Sequence, residues 1–422
     1  MTDLVIRGGT VVDERGSRRA DVRVADGRVV EVGDSLSGSR TIDASGCVVA
    51  PGLVDLHAHL REPGREEAET IETGARAAAL GGYTAVVAMP NTEPAIDCAA
   101  VVRQVLDLGE KSVVDVRVAG AITVGRSGVQ LAPMGEMADL GVHVFTDDGN
   151  GVQDGRLMRR ALEYARALGV VLAQHCEDSS LAAGGVMHEG DWSSRLGMPG
   201  TPAEAEELMV ARDIALSRLT GAPVHFLHLS TAGSVALVRE AKARGIAVTA
   251  EAAPHHFTLT DERVQSFDPV FKVNPPLRTA DDVAAVIAGL ADGTIDAIAT
   301  DHAPHAADAK EEPFDKAAPG MLGLQTALPL SLAVLDLESA LARLSWHPAR
   351  IAGLTGEHGG PIAEGGAANL CVFDPTATWT VDPAALASRS RNTPYAGMTM
   401  TGLVRHTLLR GEPVVVDSEA QR

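Results

Sequence analysis

The sequence is poor in aromatic side chains and cysteine, and it has no long uninterrupted apolar run. Phe, Trp and Tyr make up 3% of the 422 residues, so the core must be built from Val, Leu, Ile and Ala. The four cysteines lie far apart without a Cys-x-x-Cys pair, which is typical of reduced thiols rather than of a disulfide framework. No stretch approaches the roughly 18 apolar residues of a membrane span, and the N-terminus lacks the pattern of a signal peptide. We therefore expect a soluble cytoplasmic protein.

Basic residues are also scarce relative to acidic ones. The chain has 36 Lys and Arg against 56 Asp and Glu, a formal net charge of −20. Binding of nucleic acid needs a basic surface, so this balance argues against nucleic acid as a partner, and the lack of a span argues against a membrane. An anionic small molecule remains compatible, because a few local arginines can hold it. We expect a small-molecule substrate.

The apolar patterning divides the chain into three segments. Residues 1–50 alternate apolar and polar side chains between turns, and residues 356–422 return to that pattern. Residues 51–355 instead repeat short apolar runs followed by helical stretches. This order predicts an α/β fold, a (β/α)8 TIM-like barrel with a small β-rich satellite domain made from both termini. The alternative is an open doubly wound sheet, which would concentrate the functional residues at one switch point.

Eight near-continuous apolar runs are predicted to be the parallel strands of the barrel. They span residues 53–56, 83–89, 115–121, 142–146, 170–174, 224–227, 247–251 and 297–300. Helical stretches are predicted near residues 66–80, 97–109 and 202–219. In such a barrel the functional residues lie at the C-terminal ends of the strands, so the residues that follow each run are candidates for a site.

Histidines and aspartates follow several of these runs. Residues i and i+2 of a strand point to the same side, so His57 and His59 can bind one cation, and Arg61 follows on the same edge. Imidazole and carboxylate ligands together suit Zn²⁺ and related divalent ions. Because one tetrahedral ion needs fewer ligands than are present, a two-metal site is the simplest interpretation. The expected ligands are His57, His59 and Asp301 for one ion, His175 and His228 for the other, and Asp147 or Asp148 as a bridge.

Such a site predicts metal-assisted hydrolysis of a polarised carbonyl. Two cations lower the pKa of water between them, and Asp301 could take the proton and deliver it to a leaving group. The remaining histidines are predicted to have other roles. His225 lies within an apolar run and is interpreted as a core histidine, and His302 is expected to face away from Asp301. For His255 and His256, a position near the site and simple packing are equally compatible with the sequence.

These residues carry a resemblance to a known family. The chain resembles the amidohydrolase superfamily and, more closely, the class I (bacterial, cytosolic) dihydroorotases. The matching motifs occur in the same order along the chain, and together they are far more specific than His-x-His alone. They lie at residues 55–61, 89–91, 145–149, 174–178, 228–230, 272–278 and 300–305.

The resemblance implies reversible ring closure of N-carbamoyl-L-aspartate to dihydroorotate, a step of pyrimidine synthesis. It implies two zinc ions bridged by Asp148 rather than Asp147, with Asp301 as both a metal ligand and the catalytic acid/base. The implied substrate contacts are Arg61, Asn91, Asn274, His305, Pro319 and Gly320. In relatives an aromatic residue often precedes the glycine of the last pair. Arginine suits this substrate, because its guanidinium matches a carboxylate bidentately.

Two alternatives stay open at this point. Hydantoinases and allantoinases are similar cyclic amidases, but they typically bridge their metals with a carbamylated lysine. None of the five lysines here follows the third or fourth run, and Arg61 indicates a carboxylated substrate. A non-catalytic structural partner of aspartate transcarbamoylase is the second alternative, although such relatives typically lack the metal ligands found here. A homo-oligomer, and association of an active enzyme with the transcarbamoylase, are further expectations.

Overall fold

The structure is a computed structural model and describes residues 3–421. Its strands are β1 (Asp3–Arg7), β2 (Thr10–Asp13), β3 (Gly16–Arg19), β4 (Asp21–Ala25), β5 (Arg28–Gly33), β6 (Arg40–Asp43), β7 (Val48–Pro51), β8 (Leu53–Ala58), β9 (Tyr83–Ala88), β10 (Asp115–Val118), β11 (Val144–Phe145), β12 (Val171–Gln174), β13 (Met187–His188), β14 (Gly200–Thr201), β15 (Val224–Phe226), β16 (Val248–Ala252), β17 (Ala297–Ile298), β18 (Leu370–Thr380), β19 (Thr399–Leu409), β20 (Glu412–Val416) and β21 (Glu419–Ala420). Its α-helices are α1 (Ile71–Leu80), α2 (Ala99–Gly109), α3 (Met134–Ala138), α4 (Gly155–Leu168), α5 (Asp191–Leu196), α6 (Glu204–Thr220), α7 (Ala232–Ala243), α8 (Pro254–Thr258), α9 (Ala280–Asp292), α10 (Ala307–Lys310), α11 (Ala327–Leu332), α12 (Leu337–Leu341) and α13 (His347–Ile351).

Parallel strands form a closed central barrel. β8, β9 and β10 pair in one sheet, and β11, β12, β15, β16 and β17 pair in another. Isolated parallel bridges join the two sheets at both seams, between Gly120 and Phe145 and between Ala58 and His302. The predicted (β/α)8 barrel is therefore confirmed. Several strands are shorter than their apolar runs, and β11 is only two residues long.

The barrel strands and helices follow from local sequence. Every residue of β8 and β9 is buried, as expected for strands covered on both faces. Helix α1 begins after Thr70, whose side chain accepts from the backbone N–H of Thr73, so it begins later than the predicted residue 66. Helix α4 is capped by Asp154 and ends at Gly169 in the left-handed conformation that glycine favours. Within residues 3–421, no helix combines the length and the apolarity that crossing a bilayer requires.

Both ends of the chain build the β-rich part of the molecule. A seven-stranded sheet has the order β21-β20-β19-β18-β7-β2-β3, so four strands from the C-terminal segment continue directly into three from the N-terminal segment through the β18–β7 pair. A four-stranded sheet of order β5-β4-β1-β6 packs with it around a core that includes Ile6, Val22, Val372 and Leu408. The division at residues 50 and 355 stays a prediction, and residues 1, 2 and 422 of its segments lie outside the described residues.

Candidate metal centre

Six histidine and aspartate side chains converge at the C-terminal end of the barrel. They follow or end β8, β11, β12, β15 and β17, and each was expected from the sequence to be a ligand. They are His57, His59, Asp148, His175, His228 and Asp301, with exposed fractions between 0% and 5%. The structure therefore brings the whole predicted ligand set together in one buried cluster.

Asp148 lies at the centre of this cluster. Its Oδ1 atom is 3.5 Å from His57 Nε2, 3.6 Å from His175 Nδ1 and 3.5 Å from His228 Nε2. Its Oδ2 atom is 3.7 Å from His59 Nε2. One carboxylate thus faces an imidazole nitrogen of all four histidines, which is the position that a bridging ligand needs.

The other contacts divide the cluster into two groups. Asp301 Oδ1 lies 3.1 Å from His59 Nε2 and 3.5 Å from His57 Nε2. His175 Nδ1 lies 3.0 Å from His228 Nε2. These are the two groups that the sequence predicted for separate ions, and both contact the carboxylate of Asp148.

The donor set fits divalent metal ions. Two ligand atoms each about 2.1 Å from an ion at tetrahedral angles lie ~3.4 Å apart, close to the separations in the cluster. His57 Nε2 is buried and has no hydrogen-bond partner among residues 3–421, although a polar atom in that position needs one. Two overlapping triads, His57 with His59 and Asp301 and His57 with Asp148 and His228, each hold their ligand atoms within 4.8 Å of one another.

The neighbouring aspartate, Asp147, points away from the cluster. Its Oδ1 atom accepts hydrogen bonds from the backbone N–H groups of Ile122 at 2.9 Å and Thr123 at 3.0 Å. Its Oδ2 atom accepts one from the Thr123 hydroxyl. These bonds fix the turn after β10 against the turn after β11. The sequence left Asp147 and Asp148 open as bridges until the resemblance was considered, and the geometry favours Asp148.

A buried arginine lies beside the metal centre. Arg61 is 6% exposed, donates from Nε to the carbonyl of Pro304 at 3.0 Å, and has its Nη2 atom 3.4 Å from His305 Nε2. His305 Nε2 in turn donates to the carbonyl of Pro319 at 2.8 Å. Burial, assisted by the charge of Arg65, lowers the pKa of Arg61 to about 10, so Arg61 remains a cation at neutral pH. Three of the predicted substrate contacts therefore meet around one buried positive charge.

The other predicted substrate contacts lie around the same rim. Asn91 Oδ1 accepts a hydrogen bond from His59 Nδ1 at 2.9 Å, which leaves His59 Nε2 free to face the cluster. Asn274 and Pro319 line one cavity of about 350 Å³, whose lining includes neither Arg61 nor the proposed metal ligands. Gly320 follows with φ of 145°, a backbone conformation that side chains rarely adopt.

Comparisons with known proteins agree with this site. The family described as Dihydro-orotase-like matches residues 46–234. The chain is 51% identical to the dihydroorotase of Pelotomaculum thermopropionicum, over 98% of this chain and 99% of that protein. It is 52% identical to the dihydroorotase of Streptomyces coelicolor, over 99% of this chain and 100% of that protein. The chain belongs to the dihydroorotase family.

Solved structures place the dihydroorotase-family chain among related amidohydrolase folds. It superimposes on the L-hydantoinase (dihydropyrimidinase) of Arthrobacter aurescens with a TM-score of 0.90 at 26% identity, over 100% of this chain and 98% of that chain. The dihydropyrimidinase of Brevibacillus agri has the same fold, with a TM-score of 0.87 at 24% identity over 100% and 96% of the two chains. Amidohydrolases are metal-dependent, and the histidine and aspartate groups described above could hold the metal.

Two buried carboxylates of the site have roles that the sequence did not predict. Glu251, fully buried at the end of β16, accepts from His57 Nδ1 at 2.9 Å and from His225 Nε2 at 2.9 Å. Asp55 accepts from the backbone N–H of Thr300 at 2.8 Å and so ties β8 to the residues before Asp301. The only signal was a carboxylate inside an otherwise apolar run. That signal does not say which partner the carboxylate meets.

A residue from the C-terminal segment also supports the rim. Asn392 Nδ2 donates to the carbonyls of Ala303 at 2.9 Å and Gly320 at 3.1 Å. Its Oδ1 atom accepts from the backbone N–H of His305 at 3.2 Å. Asn392 therefore holds together two loops that carry predicted substrate contacts, and no motif around it indicated this.

The other histidines near the site divide between the two expected roles. The Nε2 atom of His302 lies 3.2 Å from Glu69 Oε2, so this imidazole contacts Glu69 and not the proposed metal ligands. His255 Nε2 is buried 3.9 Å from Asp301 Oδ2, whereas His256 Nε2 donates to the carbonyl of Pro275. Burial lowers the pKa of His255 to about 4, so its imidazole is neutral beside Asp301.

Burial and mutual charge set the ionisation of the cluster. Burial opposes protonation of His57, but the neighbouring carboxylate of Asp148 outweighs it and holds the pKa of His57 well above its ordinary value. Burial also opposes ionisation of Asp148, but the charge of His57 and the bonds from His175 and His228 hold its pKa well below the usual range. Without a bound ion, these side chains form an ion-paired cluster in which His57 carries a proton.

Metal binding is therefore expected to displace protons. A metal ligand must be neutral imidazole, so the raised pKa of His57 means that its proton leaves when an ion binds. We expect Zn²⁺ added to metal-free protein at pH 7 to release about one proton or more per chain, measured with an indicator dye in weakly buffered solution. Protein already loaded with metal is the control and should release none. Stoichiometric binding without proton release would contradict the protonated state of His57.

Proposed function

We propose that the chain is a zinc-dependent dihydroorotase that interconverts N-carbamoyl-L-aspartate and (S)-dihydroorotate plus water in UMP biosynthesis. The observation that carries the proposal is a buried cation, Arg61, beside a cluster of four histidines and two aspartates. A carboxylated ring needs both features, one to hold its carboxylate and one to activate its carbonyl. The names of the relatives at about half identity support the same reaction.

The proposed metal site holds two zinc ions. His57, His59 and Asp301 would hold one ion, His175 and His228 the other, and Asp148 would bridge them. Bound divalent ions polarise a carbonyl oxygen and lower the pKa of water, so that hydroxide is available near neutral pH. Four facing imidazole nitrogens, all within 3.7 Å of the Asp148 oxygens, support the bridging role.

Asp301 is the proposed acid/base. During hydrolysis its carboxylate takes a proton from the attacking water, and the same proton then goes to the ring nitrogen as the amide bond breaks. Ring closure reverses these transfers and releases water. Neighbouring charges hold the pKa of Asp301 below its usual range against the effect of burial, so it begins hydrolysis as a carboxylate.

The substrate contacts are proposed on chemical grounds. Arg61 would bind the carboxylate that stays outside the ring, because a guanidinium and a carboxylate form two parallel hydrogen bonds. Its Nη2 atom lies 3.4 Å from His305 Nε2, so the two proposed substrate contacts are neighbours. The amides of Asn91 and Asn274 and the main chain of Pro319 and Gly320 offer the donors and acceptors that a ring with N–H and C=O groups requires.

The function and the role of Arg61 are tested together by substrate choice. We expect hydrolysis of dihydroorotate, followed by loss of ultraviolet absorbance, and none of dihydrouracil, which lacks the carboxylate. Arg61→Ala should lower kcat/KM for dihydroorotate by a factor of about 10² to 10³, the value of a lost charge-assisted bond of ~3–4 kcal/mol. Arg61→Lys, which keeps the charge but not the bidentate geometry, is the matched control and should lose less.

The alternative function is that of a hydantoinase-like cyclic amidase. This alternative is considered because the chain superimposes on an L-hydantoinase with a TM-score of 0.90. Turnover of dihydrouracil by the wild-type protein, with kcat/KM unaffected by Arg61→Ala, would establish this alternative and overturn the dihydroorotase proposal.

The bridging role of Asp148 is tested against its neighbour. Asp148→Ala should lose bound zinc and activity together, because four imidazoles would then lack their shared carboxylate. Asp147→Ala should keep its zinc but unfold more readily, by about 1–3 kcal/mol, since it leaves the N–H groups of Ile122 and Thr123 without an acceptor. Metal analysis and thermal unfolding of both variants decide the point. Full zinc content in Asp148→Ala would disprove the bridge.

We also propose that copies of the chain associate. Leu208 and Leu219 of helix α6 are 56% and 62% exposed, and a second copy of the helix could cover both. The same helix has Glu204 in its first turn and Arg218 in its last, so two copies packed antiparallel along α6 would bring opposite charges together. Light scattering should give at least a dimer, and Leu208→Glu should shift it toward monomer. A monomeric wild-type protein at micromolar concentration would contradict this proposal.

Two further expectations stay predictions. They are association with aspartate transcarbamoylase and a cytoplasmic location. Assay of the purified chain with and without added transcarbamoylase addresses the first, because an enzyme that needs its partner would be inactive alone despite bound metal.

A further inference from the structure

We infer that Glu251, held by His225, positions His57 as a metal ligand and strengthens metal binding at that ligand. The inference rests on the metal site proposed above and adds to it a carboxylate that touches no reacting atom. Glu251 is therefore a positioning residue, and its effect should fall first on the metal rather than on the substrate.

The contacts form one buried chain across three barrel strands. His57 lies near the end of β8, His225 lies in β15, and Glu251 lies in β16. Both oxygens of Glu251 are used, with Oε1 2.9 Å from His57 Nδ1 and Oε2 2.9 Å from His225 Nε2. His225 Nδ1 lies 2.8 Å from the hydroxyl of Thr249. The exposed fractions of Glu251, His57 and His225 are 0%, 0% and 1%, so water does not compete for these contacts.

The hydrogen bonds settle the tautomer of each ring. A carboxylate only accepts, so His57 must carry a proton on Nδ1, and Nε2 is the nitrogen that remains to bind a metal ion. His225 must likewise carry a proton on Nε2, and its Nδ1 can then accept from Thr249.

His57 is the one proposed histidine ligand with a carboxylate behind it within residues 3–421. His59 Nδ1 donates to a neutral amide, that of Asn91. The outward nitrogens of His175 and His228, Nε2 and Nδ1, have no hydrogen-bond partner among the described residues. A carboxylate behind a ligating imidazole fixes its orientation and makes its free nitrogen more basic. Glu251 should therefore distinguish the ion held by His57 from the ion held by His175 and His228.

A purely structural role for Glu251 is the competing interpretation, since any buried carboxylate needs partners. The chain contains a matched pair that tests it. Asp115 and His358 form a comparable but less buried pair, with Oδ2 2.8 Å from Nε2, at the start of β10 and away from the proposed ligands, and Asp115 also contacts Arg410. Asp115→Asn makes the same carboxylate-to-amide change there. If only stability matters, the two positions should behave alike.

The experiment measures zinc affinity of metal-free protein by competition with a chromophoric chelator. We expect Glu251→Ala to weaken binding of one of the two zinc ions, the ion held by His57, about 10- to 100-fold, which is the usual cost of losing such a partner. Binding of the other zinc ion should change less. Glu251→Gln should recover part of this loss, because its amide oxygen can still accept from His57 Nδ1 although the charge is gone. Asp115→Asn should bind both equivalents as the wild-type protein does.

Each other outcome is informative. Wild-type zinc affinity in Glu251→Ala, or equal weakening in Asp115→Asn, would overturn the positioning role while leaving the metal site intact. A wild-type protein that binds no zinc would overturn the proposed site and this inference together. If Glu251→Ala does not fold, His225→Asn takes its place, because releasing Glu251 from one side should weaken zinc binding in the same direction and by a smaller factor. Unchanged affinity in His225→Asn would then count against the inference.

Discussion

The carboxylate of Asp148 among four imidazoles is the interaction on which the rest of the structure depends. Transfer of an unpaired carboxylate into a protein interior costs several kcal/mol, so a group that is only 3% exposed must be compensated on every side. The protonated ring of His57 supplies part of this compensation, and bound cations would supply more. Such a cluster can form only where several chain segments bring polar ends to one point.

A closed parallel barrel meets that requirement. Its strands are buried on both faces by apolar side chains and end together at one rim, so their last residues can be polar without disturbing the core. The bridge between Ala58 and His302 closes the seam and brings the His57 and His59 strand beside Asp301. Arg61, His228 and Asp301 have φ of 61°, 30° and 45°, which costs energy in non-glycine residues and is tolerated where neighbours hold the backbone firmly.

The features that could be predicted from the sequence are those set by the spacing of residues along one strand and by the common rim at which parallel strands end. His57 and His59 share a side because they are two residues apart, and Asp301 could be grouped with them because all barrel strands end at one rim. Glu251 could not be assigned, because its partner His57 lies 194 residues away and a strand period says nothing about which side chains meet across strands. Asn392 was missed for the same reason, since it acts from a loop after the barrel is complete.

The fold alone does not decide the reaction, and the rim residues do. The bridge proposed here is Asp148, a side chain of the chain itself, so the proposed ligand set is complete once the chain has folded. Affinity and geometry must then come from fixed contacts within the chain. A carboxylate behind His57 and an amide behind His59 are contacts of this kind. Because these two supporting groups differ in charge, the two imidazoles proposed as ligands of one ion should differ in basicity.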